Sequence, residues 1–350
     1  VKEFIPFRSN KDGPGGSSQS AHEGSATSDF LFWGKFPEGE SVLAMNKEQK
    51  TAEAKFIVAA AHGDLETVAG FILQGFNVCC HRNEALLWAS LYGRGPMVLL
   101  LLEAGADARS NPGELLSGPA LFGDLPIVKM LIETGADVHA GDEGALNAAA
   151  FNGHNELIEF LLSRGADIRG HDGRILCSAV FRGHIETVRL LLGRGAEVSD
   201  CENWAMYTAA GRGHPDIVDL LLEAGASPVA GPGGDTPLRA ASSGGHVRAV
   251  KRLLAAGVPA GADGWALVEA AANGHAEVVR ILLKAGARAD AENSAAIRAA
   301  EKKGFRDIVA LLEKNGASQA DSGSSSGSAS RVRHEGALVR NLFRLFNDRV

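Results

Sequence analysis

The stretch Gly153-His154-Asn155-Glu156-Leu157-Ile158-Glu159-Phe160-Leu161-Leu162-Ser163-Arg164-Gly165-Ala166-Asp167 holds a polar Gly-His step, an amphipathic run and a Gly-Ala-Asp stop. The step returns at Gly183-His184 and Gly213-His214, followed each time by an aliphatic run and by a stop at Gly195-Ala196 or Gly225-Ala226, a period of 30 residues. Self-similarity at this period marks a solenoid, in which each unit buries its apolar face only against its neighbours.

Working outward, the step glycine falls at 63, 93, 123, 153, 183, 213, 245, 274 and 304, and the stop glycine at 75, 105, 135, 165, 195, 225, 257, 286 and 316. The two are 12 residues apart in all nine units, so the second helix of each unit has one length. The variable spacing lies after the stop glycine, in the connection. In the fourth unit Ala145-Leu146-Asn147-Ala148-Ala149-Ala150 reads as a small-residue inner helix that permits close approach. The outer helix over 156–163 places Leu157, Ile158, Leu161 and Leu162 on one stripe. Gly165 ends it in the left-handed conformation that glycine adopts without penalty.

Composition bounds what else the chain can be. With 45% hydrophobic and 22% charged residues it has ample material for a core, and its net charge of −7 argues against a whole-protein nucleic-acid footprint. The four cysteines (Cys79, Cys80, Cys177 and Cys201) show no Cys-x-x-Cys spacing, and the expectation is reduced thiols in a cytoplasmic or nuclear protein. The longest apolar run, 97–102, is far short of the ~20 residues of a membrane span. The start Val1-Lys2-Glu3-Phe4 has no signal-peptide core, and no transmembrane segment is expected.

Against a known family, the chain resembles the ankyrin-repeat proteins. The pattern Thr-Pro-Leu-His-x-Ala-Ala-x-x-Gly-His is nearest in Thr236-Pro237-Leu238-Arg239-Ala240-Ala241 with Gly245-His246, and the remainder in Ala270-Ala271 through Gly286-Ala287. The resemblance covers about three quarters of the chain and implies an all-α solenoid of about nine helix-turn-helix repeats. Most units lack Thr-Pro and are three residues shorter than the common form. They are similar to the short ankyrin class of protists and large DNA viruses, as in Asn83-Glu84-Ala85-Leu86-Leu87-Trp88 and Asn203-Trp204-Ala205-Met206. Stunted β-hairpin fingers follow. A longer finger is expected only at residues 231–237, with Asp235 or Thr236 as N-cap and Pro237 at the first helical position.

Residues 1–48 contain Ser/Gly-rich stretches that cannot offset their ordering entropy, and disorder is expected there. Within them, Phe30-Leu31-Phe32-Trp33 could fold back on the first repeat or act as a short linear motif. The chain begins without Met, and Met45 stands just before the first repeat, so whether 1–44 belong to the native protein is open. The repeat domain is placed at 49–317, a Ser/Gly linker at 318–330 and a short basic amphipathic helix at 331–350. In the third unit Gly118-Pro119 predicts a broken or shortened inner helix, as a hinge or as decay. The charged ninth unit suits a cap facing water.

No catalytic residue is proposed. The chain contains no phosphate-cradling Gly-rich motif and no zinc-ligand spacing. The recurring His154, His184, His214, His246 and His275 sit one interaxial distance apart, ~8–10 Å, too far to share a metal at ~2 Å. The family resemblance makes them structural, each hydrogen-bonded to the adjoining loop. No metal or cofactor is expected. Trp88, Trp204 and Trp265 read as packing.

Specificity is expected in the two residues before each step glycine, because in ankyrin proteins that end of the inner helix faces the concave groove. In order these are Ala61-His62, Leu91-Tyr92, Leu121-Phe122, Phe151-Asn152, Phe181-Arg182, Gly211-Arg212, Ser243-Gly244, Ala272-Asn273 and Lys302-Lys303. The candidate partner-binding residues are Leu91, Tyr92, Leu121, Phe122, Phe151, Asn152, Phe181, Arg182, Arg212, Lys302 and Lys303. The alternative is that the aromatics turn inward to fill gaps beside the Ala-rich helices. The function expected is a monomeric, non-enzymatic scaffold or adaptor that grips a protein partner. Two alternatives stay open: an adaptor coupling a target to ubiquitin ligation through its C-terminal segment, and a regulatory fragment of a larger ankyrin-bearing enzyme.

Overall fold

A computed structural model describes residues 47–110, 114–170, 173–198, 204–229, 236–261 and 264–316. The expected longer finger at 231–235, the linker, the C-terminal helix and the aromatic cluster at 30–36 lie outside the described residues. Two units divide the chain, Val1–Lys55 and Phe56–Val350. The described part of the first is the beginning of helix α1 (Lys47–His62).

The second unit is a succession of helix pairs, with no strand among the described residues. After α1 come α2 (Leu65–Leu73), α3 (Cys80–Leu91), α4 (Gly95–Glu103), α5 (Ser117–Phe122), α6 (Leu125–Glu133), α7 (Ala140–Asn152), α8 (Asn155–Ser163) and α9 (Arg174–Arg182). They continue through α10 (Ile185–Gly193), α11 (Trp204–Gly211), α12 (Pro215–Glu223), α13 (Pro237–Ser243), α14 (Val247–Ala255), α15 (Trp265–Ala272), α16 (Ala276–Lys284), α17 (Ala291–Lys303) and α18 (Arg306–Lys314). Odd-numbered helices are the inner ones, even-numbered the outer.

Every outer helix is nine residues long, which is the constancy that the two-glycine spacing requires. At the end of α8, Gly165 (φ 99°) reverses the chain so that the Ala166 amide donates to the Leu161 carbonyl at 3.1 Å. Gly153, between α7 and α8, is held by two constraints. Its φ is 77°, and a Cβ there would stand 2.9 Å from the His184 ring of the next unit.

The core runs along the stack rather than gathering at a centre. Leu157, Ile158 and Leu161 of α8 are fully buried against Leu146, Ala149 and Ala150 of α7. Burial of each large side chain contributes roughly 1.5–3 kcal/mol. From α5 onward, successive inner helices pack more closely on one another than successive outer helices do. Side chains as small as Ala149 and Ala179 at their contacts allow it.

Where the common repeat carries a finger, the second and fourth units make a left-handed turn. His81, Arg82 and Asn83 take φ of 48°, 56° and 62°, and Gly141, Asp142 and Glu143 take 66°, 55° and 62°. Left-handed backbone costs roughly 1–2 kcal/mol per non-glycine residue. Buried Asn83 offsets part of that by accepting from the Asp107 amide (3.1 Å) and donating to Ser110 Oγ, which ties the second unit to the third. At the sixth-to-seventh junction, Thr236 is the N-cap, its hydroxyl accepting from the Arg239 amide at 3.2 Å, with Pro237 directly after it.

The irregular third unit has a shortened inner helix of six residues. Pro119 sits in its first turn, where its missing N–H is not needed, so the helix starts late instead of breaking. Gly118 has a packing reason: a Cβ there would lie 2.9 Å from Leu91 Cδ1. The expectation of four reduced cysteines is corrected, because Cys177, buried in α9, is disulfide-bonded, whereas Cys79 and Cys80 form no disulfide.

Candidate partner-binding surface

The ends of the inner helices bring the predicted residues into one row, and their side chains make contacts across the repeats. Phe151 (α7) and Phe181 (α9) stack, with ring centroids 6.2 Å apart and planes inclined by 20°. The Arg182 guanidinium lies 5.0 Å over the Phe151 ring, and that of Arg212 lies 3.5 Å over the Phe181 ring. Each phenylalanine is thus covered by the arginine that follows one residue later in the row of the next unit. Both phenylalanines are half-buried and both arginines exposed. The rings neither turn fully inward nor stand free.

Ahead of this ladder the row is apolar. Tyr92 is 38% and Phe122 65% exposed, with Leu91 and Leu121 half-buried beside them. Trp88 stacks on Tyr92 at 5.8 Å and 18°. It stands four residues earlier on the same helix face.

Asn152 has a second use. Its amide Nδ2 donates to the Leu121 carbonyl at 2.7 Å, and the same carbonyl meets His154 Nε2 at 3.0 Å. Asn273 and His275 repeat the arrangement on the Ser243 carbonyl, at 3.2 and 3.0 Å. His246 Nε2 meets the Gly211 carbonyl at 2.9 Å. An asparagine in the row therefore serves the scaffold. The histidines of these units cap the preceding inner helix, as the family resemblance implied.

The slot accepts other chemistry. Arg94 fills it in the second unit and donates from Nε to the Ala61 carbonyl at 3.2 Å. In the ninth unit the Phe305 ring fills it, close enough that a Cβ on Gly274 would stand 2.9 Å away. Burial, then the Arg182 charge, hold the His184 imidazole below its ordinary pKa against the opposing pull of the Phe151 carbonyl. Burial likewise lowers His214, with the Arg212 charge adding to it and the Phe181 carbonyl opposing. Arg212 itself is lowered by burial and by the neighbouring Arg182 charge.

Lys302 and Lys303 are exposed at the end of α17, three units beyond Arg212. At ~8–10 Å per repeat that is roughly 24–30 Å away, so they form a separate basic patch. Two features were not singled out in the sequence: Trp204 against Tyr207 (5.7 Å, edge-on), and Arg239, which pairs with Glu269 at 3.1 Å and lies 5.5 Å over the Trp265 ring. Tyr207 and Arg239 precede Gly211 and Ser243 by four residues, and that spacing along a helix face is the signal that could have found them.

A family model of ankyrin repeats in sets of three copies matches residues 118–202, 176–266, 205–293 and 240–322, together more than half of the chain. The crystal structure of the human ASB11 ankyrin repeat domain is similar, with 27% sequence identity and a TM-score of 0.52, over 59% of this chain and 99% of that one. No curated protein sequence matches. The chain is a member of the ankyrin-repeat family. Its repeat domain is a protein-interaction scaffold. Among the described residues no helix is long and apolar enough to cross a membrane.

Proposed function

We propose that the chain is a non-enzymatic scaffold that binds a protein partner along the inner-helix ends of its second to sixth units. Phe151, Phe181, Arg182 and Arg212 form the centre, and Leu91, Tyr92, Leu121 and Phe122 the apolar flank. The observation that carries this reading is the ladder itself, with Arg212 at 3.5 Å over Phe181 and Arg182 at 5.0 Å over Phe151. Stacked rings with arginine at their faces, half-buried but reachable, are the composition of interface hot spots. A purely structural filler would be covered on all sides, as Leu146 and Leu161 are.

The test is to capture partners on the full chain, identify them by mass spectrometry and measure affinity by calorimetry. Phe151→Ala combined with Phe181→Ala weakens the principal partner by more than ~1 kcal/mol with unchanged far-UV circular dichroism. Affinity equal to the parent chain would remove this surface from the binding function.

A further inference from the structure

Several arginines of this protein are matched by a carboxylate of a neighbouring repeat. Arg164 reaches Glu133, Arg194 reaches Glu159, Arg239 reaches Glu269, Arg248 reaches Asp216 and Arg252 reaches Asp219, at 3.7, 2.9, 3.1, 3.1 and 3.2 Å. Arg212 is not matched in this way. Among the described residues no carboxylate reaches it. Its guanidinium lies on the Phe181 ring, and the charge acting on it is that of another cation, Arg182. The setting is general along the row. In a chain of net charge −7, none of the residue pairs before the nine step glycines contains Asp or Glu, while Arg182, Arg212, Lys302 and Lys303 all stand there.

A partly desolvated guanidinium beside a like charge is held at a cost in free energy, and an arriving anion relieves that cost. The planar fork of arginine, here placed against the Phe181 ring, offers two parallel N–H donors to a carboxylate. Arg182 and Arg212 belong to adjacent repeats, ~8–10 Å apart, the length of about three residues of extended chain. We propose that Arg212, with Arg182 beside it, receives carboxylate side chains spaced about three residues apart on an acidic segment of the partner in the polyproline II conformation, whose three-residue turn brings both to one face. Apolar residues of that segment lie against Phe122 and Phe151. This inference rests on the reading of these units as the partner surface and adds the chemistry of what binds there.

The test selects random short peptides displayed on phage against the full chain. The expected result is enrichment of Asp or Glu about three positions apart beside an apolar residue. In fluorescence anisotropy the best peptide loses about tenfold to a hundredfold in affinity when its acids become amides, and as much when the chain carries Arg212→Met. Arg212→Lys, which keeps the charge but not the fork, loses less. The amide peptides need no variant chain, so the outcome does not depend on Arg212→Met folding. Neutral peptides sensitive to Phe181→Ala but not to Arg212→Met would overturn the carboxylate assignment and leave the scaffold reading standing. A phosphoserine peptide that binds where its Glu counterpart does not would also overturn it, in favour of phosphate. Peptides indifferent to both variants, or no enrichment at all, would sink both readings.

Discussion

Units four to six and units seven to nine share one scaffold and differ at the ends of their inner helices. The outer helices α8 and α14 bury equivalent leucines, Leu161 and Leu253, and end at equivalent glycines, Gly165 and Gly257, at φ of 99° and 86°. The row, however, carries Phe151-Asn152, Phe181-Arg182 and Gly211-Arg212 in the first region, and Ser243-Gly244, Ala272-Asn273 and Lys302-Lys303 in the second. The first region presents stacked rings under arginine; in the second, Asn273 turns its amide back to the Ser243 carbonyl. The difference separates what builds a repeat from what a repeat is used for.

That separation can be broken by substitution. The largest effect belongs to the shared scaffold: Leu161→Ala and Leu253→Ala each cost about 2–5 kcal/mol in urea unfolding. Similar values are expected, because both sites are fully buried on the same stripe of an outer helix. A large disparity would mean that the regions are not one scaffold. Gly153→Ala follows at roughly 1–3 kcal/mol, since the positive φ and the close His184 ring act together. Its unfolding midpoint should fall more than that of Gly165→Ala, where a Cβ meets nothing within 4 Å.

A smaller effect is one of pH. His184 and His214 are held below the ordinary value of ~6.5, so the unfolded chain takes up protons that the folded chain refuses. Their contribution is complete above about pH 7 and is lost as pH falls through 6.5 toward the depressed folded values. Urea midpoints between about pH 7.5 and 5.5 should fall less steeply for His184→Gln with His214→Gln than for the parent chain. His139, raised by its hydrogen bond to Glu143, works in the opposite sense and cancels in that difference. The smallest effect is Asn273→Ala, about 0.5–1.5 kcal/mol in thermal unfolding, with no loss of partner affinity.

Much of this was legible in the sequence because each repeat restates it. The nine-residue outer helices and the glycine stops follow from a pattern that recurs about every 30 residues, while the structural histidines come from the family resemblance and Thr236 is one of two N-cap candidates, beside Asp235. What stayed hidden depends on contacts between one unit and the next. No single repeat shows that Asn152 reaches back to Leu121, that Arg94 replaces a histidine, or that Arg212 settles on Phe181 instead of a carboxylate. The left-handed turns at 81–83 and 141–143 were hidden for a further reason. Asn83 and Asp142 are of types that visit that conformation singly, but a run of three does not follow from preference, and at 81–83 it is tied by the contacts of Asn83 with Asp107 and Ser110.

The central claim is that a partner seats on the inner-helix ends of units two to six, centred on units four to six. Amide hydrogen exchange on the full chain, with and without a captured partner, measures this most directly. The account predicts added protection at residues 149–152, 179–182 and 209–212, and none at 241–244 or 270–273. Protection confined to the outer helices, or to units seven to nine, would contradict it.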